Sequence, residues 1–199
     1  MKALELQVHL HSYWHAGTGR GDGKRADAVV ATNRVGLPYL PGRTLKGLLR
    51  FATATASTIG VVRDETASLW FGTELAGRVD RAADLEGERR YATRAARLRV
   101  SSATLGEAWD AWASSAGQRE RSMLFETLSA TAIDSTRGVA VDRTLRTIEV
   151  AVPMTLTARI TGPDEGSWLT ELPMVLPLIR SLGSGRTRGL GRVTVEVTG

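Results

Sequence analysis

The 199-residue sequence contains no cysteine. That excludes a disulfide framework and a thiolate zinc site, so any metal must be held by carboxylates, histidines or a bound phosphate. Long apolar runs are also missing. None approaches the length needed to cross a bilayer, and the opening MKALELQVHL alternates apolar with polar residues where a signal peptide needs a continuous apolar segment. The expectation is a cytoplasmic protein with no membrane partner. Acidic residues are scarce at one end: the first fifty residues hold eight Lys or Arg against three acids, while the rest is balanced at eighteen of each. Lysine is scarce throughout, since 23 of the 26 basic residues are Arg, a bias that suits planar, bidentate phosphate contacts and base stacking. A formal charge of +5 and a pI near 10.2 point to an anionic partner.

A chain of this length fits one domain, or one compact domain with an insertion. Leu4, Leu6, Val8 and Leu10 alternate with Glu5, Gln7, His9 and His11, the period of a strand with one buried face. DAVVATN follows as a short strand entering a turn. Thr44 is placed to cap a helix whose apolar positions Leu45, Leu48, Leu49 and Ala52 recur at helical spacing. Asp64 opens a second helix that Gly72 stops. ARLRVSSATL reads as a strand and GEAWDAWASS as a short helix with Trp109 and Trp112 on one face, a pair suited to a core or a subunit interface. Alternation resumes from Leu128, and Val152 to Ile160 alternates throughout. Asp164 is placed to cap a helix from Glu165 to Ser181, interrupted by Pro173 and Pro177, before the last strand RVTVEV.

Strand, helix, two strands, helix, strand is the order of an α+β, ferredoxin-like (RRM-like) βαββαβ core. The expected layout is a single domain over residues 1–199 with an inserted helical and loop segment over 73–130 and a thumb-like β-hairpin over 133–152. Such a fold hosts RNA-recognition domains and many small enzymes, so function has to come from the sites.

Two glycine-rich stretches stand out. The first, HAGTGRGDGKRAD at residues 15–27, fails as a phosphate-binding P-loop, because Thr18 occupies the place of the first glycine and Arg25 follows Lys24 where a Ser or Thr should hold magnesium. The second, LGSGRTRGLGRV at residues 182–193, sets four glycines among three arginines. Glycines let backbone N–H groups approach phosphates closely, and the arginines add charge-assisted contacts. Arg180, Arg186, Arg188 and Arg192 form an acid-free basic cluster there. Arg43, Lys46 and Arg50 at a helix start, Arg186 and Arg188 on the loop, and Arg137, Arg143 and Arg146 on a hairpin are suited to phosphate contacts.

Together with LPYLPGRTLKGLLRFA at 37–52 and SLWFG at 68–72, the second loop resembles the RAMP superfamily of CRISPR-associated RNA-binding proteins, and within it the repeating backbone subunit of type III effector complexes. The matching stretches are Pro38 through Gly47 at the helix entry, Gly183 to Gly191, Ile133-Asp134-Ser135, Val141-Asp142-Arg143 and Thr147-Ile148-Glu149. The resemblance implies a subunit that polymerises along a guide RNA (crRNA) with further copies of itself and other CRISPR effector subunits. Its RNA contacts would be Arg20, Lys24 and Arg25 of the first loop, Arg43, Thr44, Lys46 and Arg50 of the helix, Arg137, Arg143 and Arg146 of the hairpin, and Gly183, Ser184, Gly185, Arg186, Thr187 and Arg188 of the second loop. Asp27 takes the place of the aspartate with which target-cleaving members cut guide-complementary target RNA. That role makes Asp27 both the catalytic and the metal-holding residue, with magnesium or another divalent cation as cofactor; Asp22 is the other carboxylate of the loop. Three further readings remain: a non-catalytic scaffold with the same RNA contacts, a guide-precursor-processing ribonuclease working through His15 without metal, and a RAMP-like RNA-binding protein outside any CRISPR locus.

Overall fold

The structure, a computed structural model, describes residues 1–19, 21, 26–72 and 94–198. The main sheet has four antiparallel strands. β1 (Lys2–Leu10) lies between β5 (Thr155–Gly162) and β6 (Val193–Val197), and β2 (Arg99–Val100) pairs with the far edge of β5. The spatial order β2-β5-β1-β6 is that of a ferredoxin-like core, in which two strand–helix–strand units interleave. Register follows the hydrophobic alternation: Leu6, Val8 and Leu10 point to the core beside Leu156, Ala158 and Ile160 of β5 and Val193 and Val195 of β6. Burying each such side chain contributes about 1.5–3 kcal/mol.

Helix α1 (Gly42–Thr58) and helix α5 (Trp168–Val175) cover that face, with Leu45, Leu49, Ala52 and Ala56 from the first and Trp168, Leu172 and Val175 from the second in one continuous cluster. The short α2 (Thr66–Phe71) adds Trp70 and Phe71 and ends at Gly72, whose φ of 86° is a left-handed stop. On the opposite face of the sheet, His9 donates from Nε2 to Glu196 Oε1 at 3.0 Å and meets Thr155 Oγ1 through Nδ1. His11 Nε2 contacts Thr194 Oγ1 at 2.9 Å.

Between β2 and β5 the chain makes α3 (Glu107–Ser115), α4 (Gln118–Ser122) and a two-stranded hairpin of β3 (Phe125–Ala130) and β4 (Arg146–Ala151). The hairpin starts upstream of the expected Ile133, whose only pairing is a single bridge to Ala140 within the tip. Of the expected insertion, residues 73–93 lie outside the described residues. Trp109 and Trp112 meet edge to face at 5.4 Å on the surface of α3, 42% and 37% exposed, and so pack no core.

Three local expectations are corrected. α1 starts at Gly42 with Pro41 as its N-cap, not at Thr44; the hydroxyl that receives the Gly42 N–H belongs to Ser102, 3.1 Å away and sixty residues on. α5 starts at Trp168 with Ser167 at its N-cap, while Asp164 binds the Met1 ammonium at 2.8 Å, and the helix tightens into a 3-10 turn at Leu176–Leu178, where Pro177 lacks the N–H that would extend it. DAVVATN is extended but forms isolated bridges rather than a strand, Ala28 to Ile148, Val30 to Gly17 and Thr32 to Pro38.

Candidate nucleic-acid interface

Where β1 ends, the chain runs on through His15, Ala16 and Gly17, and these form the floor of a cleft of about 350 Å³. Thr44, Gly47 and Leu48 of α1 make one wall, and Gly183, Ser184 and Arg186 make the other. The second wall is bonded onto the floor. Ser184 N–H donates to His15 O at 2.9 Å, Gly191 N–H to Tyr13 O at 2.7 Å, and Leu182 N–H to Gly191 O at 2.9 Å. Such closeness requires glycine at two points. Gly183 has φ of 77°, and a side chain there would run into the His15 carbonyl oxygen; Gly191 has φ of 69°, and a side chain there would run into the Leu182 carbonyl oxygen. Arg186 and Arg188 then stand out from a 3-10 turn on this rigid base, both exposed.

Gly47 is informative for the opposite reason. It sits mid-helix, exposed, where glycine is about 1 kcal/mol worse than alanine, yet a side chain there would meet nothing. Packing within the chain does not explain it. Gly47 lines both this cleft and a groove between α1 and α2 bordered by Arg50, Phe51 and Asp64. The side chains of Arg43 and Lys46 on the same helix, like those of Arg186 and Arg188, make no hydrogen bond or ion pair among the described residues, and the first turn of α1 carries no acid to neutralise its positive end. Arg50 differs: its Nη2 donates to Gly72 O at 2.8 Å, tying α1 to the end of α2.

Asp27 lies on a different part of this surface, against the root of the hairpin. Its backbone N–H donates to Thr147 O and its Oδ2 accepts the Thr147 N–H, both at 2.7 Å. The two bonds fix the carboxylate while the residue stays exposed, and Oδ1 accepts no hydrogen bond among the described residues. The intervening chain joins Asp27 to the cleft: Ala28 O accepts from Glu149 N–H, and Val29 O accepts from Thr18 N–H. His15 is 4% exposed, with Nδ1 donating to Glu149 O at 2.6 Å, and is part of the floor.

Beyond the root, the hydrogen bonds of the hairpin among the described residues run within it. Asp134 Oδ1 accepts the Thr136 and Arg137 N–H groups, and Thr131 and Thr144 share a hydroxyl bond of 2.8 Å. Arg137, Arg143 and Arg146 are exposed there, with Arg143 at φ of 60° and 3.9 Å from its neighbour Asp142. Four apolar side chains at the tip, Ile133, Val139, Val141 and Leu145, also face solvent.

The structure thus brings Thr44, Gly183, Ser184 and Arg186 to one cleft, sets Asp27 beside Arg146 through Thr147, and gives Arg50 a partner within the fold. Arg20, Lys24, Arg25 and the competing Asp22 lie outside the described residues. Sequence reasoning missed Gly47 and Leu48 as wall and Ala16 and Gly17 as floor; the available signal was an exposed glycine inside an amphipathic helix. Among the described residues no three His, Asp or Glu side chains converge as a metal cluster, and no helix is long and apolar enough to cross a membrane.

A ferredoxin-like sheet with an arginine-bearing glycine loop and a projecting hairpin defines a class of α+β domain with a cationic cleft. Residues 7–194 match the RAMP superfamily, and the chain belongs to that family. Its fold is similar to that of a chain in the cryo-EM structure of the type III-B Cmr-beta apo state, with TM-score 0.70 and 12% identity over 98% of this chain and 97% of that one. A chain of type III-B Cmr-beta bound to cognate target RNA is similar with TM-score 0.68 and 11% identity, over 99% and 97%. A comparison with curated proteins found no match.

Proposed function

We propose that this protein is a backbone subunit of a type III CRISPR ribonucleoprotein, that it holds guide RNA phosphates in the cleft between α1 and the glycine loop, and that it cuts guide-complementary target RNA at Asp27. The observation that carries the reading is the cleft itself: glycine-lined walls, an open helical glycine, and unpaired Arg43, Lys46 and Arg186 on or beside it. Membership of the RAMP superfamily and likeness to Cmr-beta chains support it. Partners on this reading are the guide, its complementary target, further copies of this chain and other effector subunits. The hairpin serves as a thumb whose apolar tip wedges between bases while Arg137, Arg143 and Arg146 hold phosphates.

Cleavage on this reading follows from how Asp27 is held. The Thr147 N–H fixes Oδ2, which leaves Oδ1 without a hydrogen bond among the described residues. A single carboxylate suits a magnesium ion that takes its other ligands from RNA phosphates and water. Asp27 would hold such an ion, which when bound would supply positive charge to offset that of the phosphate and favour deprotonation of the 2′-hydroxyl. The 2′-oxygen bonds to phosphorus, the P–O5′ bond breaks, the 2′ proton leaves to solvent or Asp27, and the departing O5′ takes up a proton. The products are a 2′,3′-cyclic phosphate and a 5′-hydroxyl. The thumb contributes by splaying the target into line for that displacement.

The test is cleavage of a labelled RNA complementary to the guide by the intact complex, in magnesium or in EDTA, with wild type, Asp27→Ala and Asp27→Asn. Regularly spaced products that require the cation and fall at least about 100-fold in both variants, with target affinity unchanged, are expected. Uncut target bound tightly by all three proteins would instead support the scaffold reading, which the structural bond from Thr147 to Asp27 also accommodates.

A further inference from the structure

The glycine loop has a second side. Beside the first cleft, Arg180, Arg186 and Arg192 converge with His11 and Ser12 on a second groove, of about 390 Å³, whose lining holds no acid. Arg186 lines both this groove and the cleft already described, so the two are contiguous across the loop. The backbones that carry these side chains are pinned. Val193 N–H donates to Arg180 O at 3.1 Å, Ser181 bridges Arg192, Arg192 N–H donates to Ser12 Oγ at 2.9 Å, and His11 N–H donates to Arg192 O at 2.8 Å. Yet none of the three guanidinium groups has a hydrogen bond or ion pair with any described residue.

Three like charges held together on fixed backbone repel one another. Arginine also presents five donors in a planar fork, and here the fold satisfies none of them. Such a cluster is stabilised by an anion that reaches all three. From this geometry we infer that the groove is a second phosphate-binding track, which takes the sugar–phosphate backbone of the same RNA strand after it passes over the glycine loop. The shared Arg186 favours a continuing strand over an unrelated acidic protein segment, because phosphates leaving the first cleft meet the second groove without a gap in positive charge. Arg180 and Arg192 are therefore RNA-binding residues, and His11 and Ser12 offer further polar contacts at the edge. The inference rests on the RNA-binding reading of the first cleft.

Binding of single-stranded RNAs of roughly 4 and roughly 16 nucleotides, lengths bracketing single-strand sites, by the full-length chain across a salt series tests it. The Arg180→Ala/Arg192→Ala double variant should bind the short RNA within about twofold of wild type and lose at least about fivefold on the long one. The slope of log affinity against log salt should fall by about 1.4 for the long RNA, at about 0.7 per single-strand phosphate contact. Arg186→Ala should weaken both lengths. Wild-type binding of the long RNA with an unchanged slope in the double variant overturns the second track and leaves the first cleft standing. A wild-type chain that binds neither RNA overturns both. Unaltered RNA binding with impaired association between subunits assigns the groove to a protein partner and likewise overturns the inference. Thermal melting of each variant checks the fold, and both mutated side chains are exposed, so little change in Tm is expected.

Discussion

The cleft and the hairpin tip carry similar charges on opposite kinds of support. The glycine loop is bonded to the strand-end segment beneath it at Tyr13 and His15, and two of its glycines sit where any side chain would collide with main chain. At the tip, by contrast, the bonds run between near neighbours such as Asp134 and Thr136, and Ile133, Val139, Val141 and Leu145 are 42–69% exposed. Among the described residues, it is the hairpin root that is bonded to the body, through Asp27, Ala28 and Trp14. The lesson is that the two glycines seating the loop cannot be altered without cost to folding, whereas exposed positions on either surface can.

Four variants would break or sharpen that contrast. Gly191→Val, which forces a side chain onto the Leu182 main chain, should destabilise the fold by about 3 kcal/mol or more and remove the soluble cooperative transition in thermal melting; a wild-type Tm would deny the loop its rigidity. Charge reversal at the tip, Arg137→Glu/Arg143→Glu/Arg146→Glu, should leave Tm within a few degrees and weaken RNA at least about tenfold in fluorescence anisotropy. Gly47→Ala splits the two properties in one residue: stability to urea should rise by about 1 kcal/mol, while RNA affinity falls as the methyl enters the cleft. If both rise together, RNA does not approach Gly47. Smallest is Leu145→Ser, expected to shift stability by no more than about 0.5 kcal/mol, with its effect confined to the spacing or yield of target cleavage products.

Much of the core was legible because it depends on local periodicity. The alternation of Leu4 to Leu10 gave β1, that of Val152 to Ile160 gave β5, which begins later, at Thr155, and the spacing of Leu45, Leu49 and Ala52 gave α1. What escaped was set by distant partners. Ser102 supplies the hydroxyl for Gly42, Met1 binds Asp164, the expected cap of α5, and Gly72 takes the Arg50 fork that looked free for phosphate. Strand β2 is only two residues because neighbouring residues are shared out in single bridges, Ala103 to Leu40 and Thr104 to Thr157. The charged residues of the site were visible as types in the sequence, but that His15 is a floor and Arg180 and Arg192 line a separate groove depended on which carbonyl each segment meets.

The exposed tip also bears on how this protein behaves before it has any partner. Ile133 is 59% and Leu145 69% exposed in the isolated chain, on a narrow two-stranded ribbon of the sort that adheres to its own kind. Concentrated protein without nucleic acid should therefore self-associate through the hairpin, visible as concentration-dependent light scattering. Covering that ribbon would dissolve the clusters, so the order in which components meet governs whether the chain assembles or aggregates.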